Sequence, residues 1–222
     1  MPPRWNASSR RPPSEPLSSA RFFFKQAKTE GYAARSLYKL REIDRRHHLI
    51  RRGARVVDLG SAPGSWLQYI AERVGPQGLV VGVDLSEIRI SLPDTVRVLR
   101  ADIFRLEPAD LLSFAPRFDI LLSDAAPNTT GVVFADSARS VELARRTLEL
   151  ARAVVAPGGA WVCKVFQGED LAALKKEARP LFERLAVEKP KGSRGGSVEL
   201  FLVGTGLKES GGVDGSKDPV SR

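Results

Sequence analysis

The sequence predicts an α/β protein with a Rossmann-like, mostly parallel sheet and helices on both faces. The first observation is a strand, a glycine loop and a helix in succession. Residues 55–59 read RVVDL, residues 60–64 read GSAPG, and apolar residues recur at helical spacing from Trp66 onward. The second is a series of short apolar runs, each with a polar residue at or near its carboxyl end. In a parallel sheet those ends meet at one edge, where ligands bind.

The amino-terminal region is basic and has two parts. Residues 1–20 carry five prolines among the first sixteen positions and are predicted to be a disordered basic tail. Residues 21–55 mix aromatic with basic residues, and residues 33–47 have apolar positions along one side of a predicted helix. Residues 1–55 hold 14 Lys/Arg against 4 Asp/Glu, whereas the remaining chain holds 21 against 22. This asymmetry indicates a polyanion partner, most simply nucleic acid; a solvated tail is the alternative.

The glycine loop disfavours a phosphate ligand. Phosphate-binding loops offer several free backbone N–H groups, but Pro63 has none and Asp58 adds negative charge just before the loop. A nucleoside that carries positive charge is favoured, and S-adenosylmethionine has both a sulfonium and an ammonium group. Gly60 and Gly64 are predicted to let such a cofactor approach the backbone closely. Trp66 is a further candidate contact, although a tryptophan there more often serves packing.

Aspartates end the next predicted strands. Asp84 closes residues 79–84 and is placed to accept both ribose hydroxyls, and Asp102 closes residues 96–102 and is placed for the adenine amino group. Asp124 closes residues 118–124. Each alone could be an ordinary strand-end or helix-capping residue, but the series at one sheet edge favours a binding site.

The carboxyl-terminal half continues the alternation. A loop at 125–131 leads to a helix predicted to begin at Asp136 or Ser137, and a strand at 160–166 carries Lys164. A helix at 171–185, a basic glycine-rich loop at 189–196 and a strand at 197–203 follow. The single domain is placed at 21–206, with a disordered tail at 207–222.

Two residues are chemically unusual for their positions. Lys164 and Glu199 each lie inside an otherwise apolar strand, where charged residues are rarely buried unless they are paired. A structural ion pair between them is one explanation, and a reactive site is the other.

Composition excludes several classes of protein. The chain has 222 residues, 42% of them hydrophobic, which suits one domain with one core. Cys163 is the only cysteine, so an internal disulfide and a thiolate metal cluster are excluded, and a reducing compartment is favoured. His47 and His48 are predicted to end a helix, and no metal site is expected. No membrane span or secretory signal is recognised, so a cytoplasmic location is expected.

The motifs DLGSAPGSW, SDAAPN and KVFQG, with Lys39, Asp124, Lys164 and Glu199 in that order, resemble the FtsJ/RrmJ (RlmE) family of ribosomal RNA ribose 2'-O-methyltransferases. The resemblance spans about residues 22–206; Ser61 and Ser65 stand where the family usually has Ala and Gly. It implies an S-adenosylmethionine-dependent methyltransferase fold with a seven-stranded sheet whose last strand is antiparallel. It also implies a monomer that methylates a uridine of large-subunit rRNA on the assembled subunit, with those four residues catalytic.

Residue chemistry independently narrows the methyl acceptor. The chain lacks the N/D-P-P-Y/F loop of amino-methyltransferases, and Cys163 is expected to point away from Lys164 by strand alternation, so it is no nucleophile for carbon methylation. A hydroxyl remains, and only RNA offers a 2'-OH. In this hypothesis Lys164 accepts or guides the proton, while the carboxylates of Asp124 and Glu199 hold the two lysine ammonium groups in place. Methylation of tRNA or another RNA, and a noncatalytic ribosome-assembly factor, remain as alternatives.

Overall fold

A computed structural model describes residue 23 and residues 26–190 and 198–209. Its centre is one seven-stranded sheet. The strands, in chain order, are β1 Arg55–Leu59, β2 Leu79–Asp84, β3 Val96–Arg100, β4 Phe118–Ser123, β5 Val155–Phe166, β6 Phe182–Glu188 and β7 Glu199–Leu207.

The spatial order of the strands is β3-β2-β1-β4-β5-β7-β6. The pairs from β3 across to β5 are parallel, whereas β7 runs antiparallel to both β5 and β6. This confirms the expected mostly parallel sheet with its last strand antiparallel. The carboxyl ends of the parallel strands therefore share one edge with the beginning of β7, and we call this the carboxyl edge.

Helices cover both faces, as expected. They are α1 Leu37–His47, α2 Ser65–Val74, α3 Pro108–Leu112, α4 Val133–Val154 and α5 Leu171–Ala178, with a short 3-10 turn at Arg179–Leu181. One core joins α1 and α2 to one side of the sheet, and the other joins α4 and α5 to the opposite side. None of the helices in the described part of the chain is long and apolar enough to cross a membrane.

Helix α1 is held firmly on the sheet, and this fixes the residues that it carries. Leu37, Leu40 and Ile43 recur at helical spacing and are at most 1% exposed, and burying each such side chain stabilises the fold by roughly 1.5–3 kcal/mol. Asp44 is also buried, where it accepts hydrogen bonds from the Tyr69 hydroxyl at 2.7 Å and the Ile50 amide at 2.8 Å. The exposed side of α1 is thus presented in a defined orientation.

The prediction of one helix over residues 171–185 was wrong in its second half. The helix ends at Ala178, and residues from Phe182 form β6. Pro180 lies in the intervening 3-10 turn and has no N–H to continue the helix. Phe182 is fully buried and stacks on Trp161, with ring centroids 6.0 Å apart, so tertiary packing selects the strand.

Other boundaries moved as well. Helix α1 begins at Leu37, four residues after its predicted start at residue 33, and β3 ends at Arg100, before the predicted Asp102. Helix α4 begins at Val133, ahead of the predicted Asp136, because Asp136 accepts hydrogen bonds from the Thr130 and Gly131 amides and so ties down the preceding loop from within the first turn. Strand β5 begins at Val155, earlier than predicted, and β7 continues to Leu207, past the predicted end of the strand. The predicted tail at 1–20, residues 210–222 of the tail predicted at 207–222, and most of the basic loop at 189–196 lie outside the described residues, whereas Leu207 belongs to β7.

Candidate active site

The glycine loop leaves β1 at the carboxyl edge and enters α2. Gly60 has φ +77°, and a Cβ there would lie 2.6 Å from the Ala125 Cα, so a side chain has neither the conformation nor the space. Its amide donates to the Val83 carbonyl at 2.8 Å, which ties the loop to the end of β2. The close approach of Gly60 to Ala125 brings the ends of β1 and β4 together, as a shared ligand site requires.

A cavity of about 670 Å³ opens beside this loop. Four of the predicted site residues line it, namely Gly60, Asp84, Asp102 and Asp124. Leu85 and Phe104, which also line it, are 63% and 49% exposed and provide apolar surface that a flat aromatic ring can cover. The cavity thus combines carboxylates with apolar walls.

Hydrogen bonds fix two of these carboxylates. Asp84 accepts from the Ala62 amide at 2.9 Å through Oδ2 and from the Ser86 amide at 2.7 Å through Oδ1. Asp102 accepts from the Phe104 amide at 3.0 Å. Each oxygen keeps a free lone pair, so the oriented carboxylates can still accept bonds from hydroxyl or amino groups of a ligand.

Asp58 is buried beside two of the carboxylates that line the cavity, Asp84 and Asp124. It is fully buried, and neither carboxyl oxygen has a hydrogen-bond partner among the described residues. Burial, then the charges of Asp124 and Asp84, hold its pKa well above the usual range. Orphaned buried oxygens beside two further carboxylates suit a cationic ligand, so the residues present are compatible with S-adenosylmethionine and unsuited to a phosphate.

Lys164 pairs with Asp124 at the same edge. Its Nζ lies 3.1 Å from the Asp124 Oδ1 and donates to the Asp124 carbonyl at 2.5 Å. The two side chains are only 7% and 13% exposed. Parallel pairing of Ser123 with Cys163 places the next residues of β4 and β5 side by side and on the same face. Asp124 therefore both lines the cavity and holds the buried lysine.

A second ion pair lies on the same face of the sheet. The Lys39 Nζ is 2.8 Å from the Glu199 Oε2, with side chains 11% and 25% exposed. The same Nζ lies 5.8 Å from the centre of the Phe201 ring, and Phe201 is paired directly with Lys164 across β5 and β7. Residues opposite each other in a ladder share a face, so the four predicted catalytic residues come to one face of the carboxyl edge.

Two predicted cofactor contacts do not line the cavity. Trp66 is 3% exposed, donates from Nε1 to the Ser36 carbonyl at 3.0 Å, and stacks on Phe201 with centroids 6.1 Å apart. Gly64 has φ +108° and faces Ile90. These residues shape the loop and join it to α1, where the Ser36 and Ser65 hydroxyls are 3.0 Å apart.

Sequence reasoning missed two polar residues at the site. Arg139 and Glu142 line the cavity from α4, whose path across the carboxyl edge leaves no local pattern in the sequence.

Cys163 does not belong to the site. It is buried on the opposite face of β5, and burial raises the pKa of its thiol to about 11. A thiol that holds its proton so firmly is a poor nucleophile.

Comparisons with known proteins agree with this architecture. The model of the FtsJ-like methyltransferase family matches residues 32–207. A protein of Sorangium cellulosum named ribosomal RNA large subunit methyltransferase E is 46% identical over 199 residues, 90% of this chain and 93% of its own length. One of the same name from Syntrophobacter fumaroxidans is 46% identical over 189 residues, 85% of this chain and 96% of its own length.

A solved structure from Plasmodium falciparum, described as a ribosomal RNA methyltransferase, superposes with a TM-score of 0.70. It is 26% identical, and the match covers 79% of this chain and 98% of the other. The glycine loop and the carboxylate-lined cavity agree with these matches. The chain belongs to the FtsJ-like methyltransferase family, because the family model matches most of its length.

Proposed function

We propose that this enzyme transfers a methyl group from S-adenosylmethionine to the ribose 2'-hydroxyl of a uridine in large-subunit ribosomal RNA. The observation that carries the proposal is the placement of Lys164, paired with Asp124, beside a cavity that Asp124 itself lines. The names of the relatives from Sorangium cellulosum and Syntrophobacter fumaroxidans support ribosomal RNA of the large subunit as the substrate class.

Different residues of the cavity contact different parts of the cofactor. Asp84, oriented by two backbone amides, accepts the ribose hydroxyls, and Asp102 accepts the adenine amino group. Leu85 and Phe104 cover the faces of the base, and Gly60 admits the ligand close to the backbone. Bound S-adenosylmethionine supplies an electrophilic methyl group on a sulfonium, whose positive charge the carboxylates that line the cavity favour.

Lys164 accepts or guides the proton of the attacking hydroxyl. Its Nζ is held by the Asp124 carboxylate and carbonyl, which orients it at the carboxyl edge. Lys39 is held in the same way by Glu199 and adds a second cation on that face. A ribose oxygen positioned between these groups and the cavity loses its proton as it attacks in line. Positioning of this kind supplies about 7–11 kcal/mol in favourable intramolecular models.

A ribose hydroxyl is the acceptor that the site chemistry favours. Methylation of a pyrimidine carbon requires a thiolate nucleophile, and Cys163 is buried on the far face. The segment after β4 reads SDAAPN and lacks the two adjacent prolines and aromatic residue that grip a base in amino-methyltransferases. We extend the proposal to rRNA within the assembled subunit and to a cytoplasmic monomer, both on the strength of the family resemblance.

Methyl transfer from labelled S-adenosylmethionine tests the proposal, with large ribosomal subunits, small subunits, naked rRNA and tRNA as separate acceptors. We expect label in large subunits and none in small subunits or tRNA. Label in tRNA would keep the chemistry and overturn the substrate. If no acceptor gains label although calorimetry shows that the cofactor binds, the chain is a noncatalytic binding factor and the proposal fails.

A further inference from the structure

A second charged surface lies at the opposite edge of the sheet. Helix α1 begins at the carboxyl edge, where Lys39 meets Glu199, and its 11 residues extend about 16 Å. Its far end leads into the segment 48–55, which is joined to the beginning of β4 by the Arg55 amide and faces the first residues of β5 across a groove. We call His48, Arg51, Arg52 and Arg55 the distal basic surface.

The side chains of the distal basic surface are exposed and uncommitted. All four residues are exposed, and within the described part of the chain their side-chain nitrogens have no recorded hydrogen bond or ion pair. Three arginines within five positions repel one another and gain nothing for folding from that arrangement. The free energy of this electrostatic repulsion is offset when an anion binds to the arginines.

Acidic groups near this surface are already engaged by other partners. Asp44 is buried and accepts from Tyr69 and the Ile50 amide, and Asp119 accepts from the Arg55 backbone amide at 2.7 Å. Glu188 contacts Arg46 and His47, and Glu72 accepts from the Tyr32 hydroxyl at 2.7 Å. The positive charge of the distal basic surface is therefore not neutralised by ion pairs with these carboxylates.

The surface borders a groove with little side-chain bulk on its other wall. The groove has a volume of about 470 Å³ and runs between His48, Arg51 and Arg52 on one side and Pro157–Gly159 on the other. Gly158 has φ +78°, and a Cβ there would meet nothing within 4 Å. A polymer backbone can thus enter the groove and meet the guanidinium groups, which suit phosphate oxygens.

From this geometry we infer that the distal basic surface binds the sugar-phosphate backbone of the same RNA, at nucleotides remote from the one that is methylated. The inference rests on the proposed RNA substrate. From Lys39 to the end of α1 the helix rises about 12 Å, eight residues at about 1.5 Å each, so the RNA is held at two separate places, the carboxyl edge and the distal basic surface. Phosphate contacts fix register and orientation without reading sequence, which makes this surface a positioning device for a folded RNA.

The test compares two double variants of the full chain that each lose two positive charges. R51Q/R52Q alters the distal basic surface, and K175Q/K176Q, on the exposed side of α5, is the matched control. Binding of naked large-subunit rRNA is measured by filter retention across a series of NaCl concentrations. The slope of log affinity against log salt changes by about 0.7–0.9 for each lost phosphate contact.

We expect R51Q/R52Q to flatten that slope by about 1.4–1.8 and to raise the KM for rRNA, with kcat at saturating rRNA and cofactor affinity unchanged. The control should match the wild type in both measurements, and the charge-retaining R51K/R52K should keep the wild-type salt slope. If R51Q/R52Q behaves like the control while the wild type binds and methylates rRNA, the inference fails and the proposed function stands. A wild-type protein that neither binds naked rRNA nor methylates rRNA in large ribosomal subunits overturns both.

Discussion

Replacing Lys164 with methionine keeps most of the side-chain volume and removes the charge that faces Asp124. The Asp124 carboxylate, 13% exposed, then loses a cation at 3.1 Å and keeps two acidic neighbours, Asp58 and Asp84. Removing one partner of a buried ion pair costs roughly 3–5 kcal/mol, and the residual exposure of this pair favours the lower end. At roughly 2–4 °C per kcal/mol for a chain of this size, Tm should fall by roughly 6–12 °C.

A second substitution separates the stability effect from the chemical one. In D124N/K164M the neutral amide needs no counter-charge, so we expect most of the lost Tm to return while methyl transfer stays absent. Arg145→Met is the control, because it breaks a pair with Glu177 whose side chains are 40% and 46% exposed and should cost less than about 1 kcal/mol. For each variant, Tm is measured by calorimetry and activity by the transfer of labelled methyl. An unchanged Tm in K164M, or no recovery in the double variant, would refute the buried pair, and near-normal transfer by K164M would refute the proton role.

Three further substitutions test the cavity. Gly60→Ala should destabilise the protein by roughly 2–5 kcal/mol in chemical denaturation, because alanine would adopt a left-handed φ and its Cβ would lie 2.6 Å from the Ala125 Cα. Gly131→Ala is the control. Gly131 has φ +85° and a Cβ there would meet nothing within 4 Å, so this variant should show only the cost of the left-handed backbone. Asp84→Ala should weaken cofactor binding at least about tenfold by calorimetry, since a charge-assisted hydrogen bond contributes roughly 1.5–3 kcal/mol; exposed Asp94→Ala should not, and equal affinities would exclude the role of Asp84. Because the pKa of Asp58 is raised on folding, its contribution to stability is present below the unfolded pKa and declines as pH rises toward the folded value. Asp58→Asn should therefore raise the Tm of the ligand-free protein more at pH 8 than at pH 5, and a uniform shift would contradict this.

Local patterns were sufficient to predict the parallel half of the sheet. Residues 55–59 and 79–84 formed strands with the predicted bounds, because short β-branched runs bounded by glycine or aspartate have few alternatives. Their order along the chain then placed Asp84 and Asp124 at one edge. The site followed from the topology of a parallel sheet rather than from any single motif.

Features that depend on contacts distant in sequence were not predictable in the same way. Residues 182–188 read FERLAVE and contain good helix formers, yet Phe182 is drawn into the core against Trp161 and the segment becomes a strand. The partners of the buried charges were open too. Lys164 faces Asp124, and Glu199 faces Lys39 across 160 positions of sequence, a pairing that no local pattern encodes.

Identifying the methylated nucleoside shows whether the acceptor is a ribose hydroxyl and whether Lys164 is needed for the transfer. Large ribosomal subunits are incubated with labelled S-adenosylmethionine and either the wild-type enzyme or K164M, and the rRNA is digested to nucleosides for chromatography. We expect label in 2'-O-methyluridine with the wild type and none with K164M. Label in a base-methylated nucleoside, or equal label with both enzymes, would contradict this expectation.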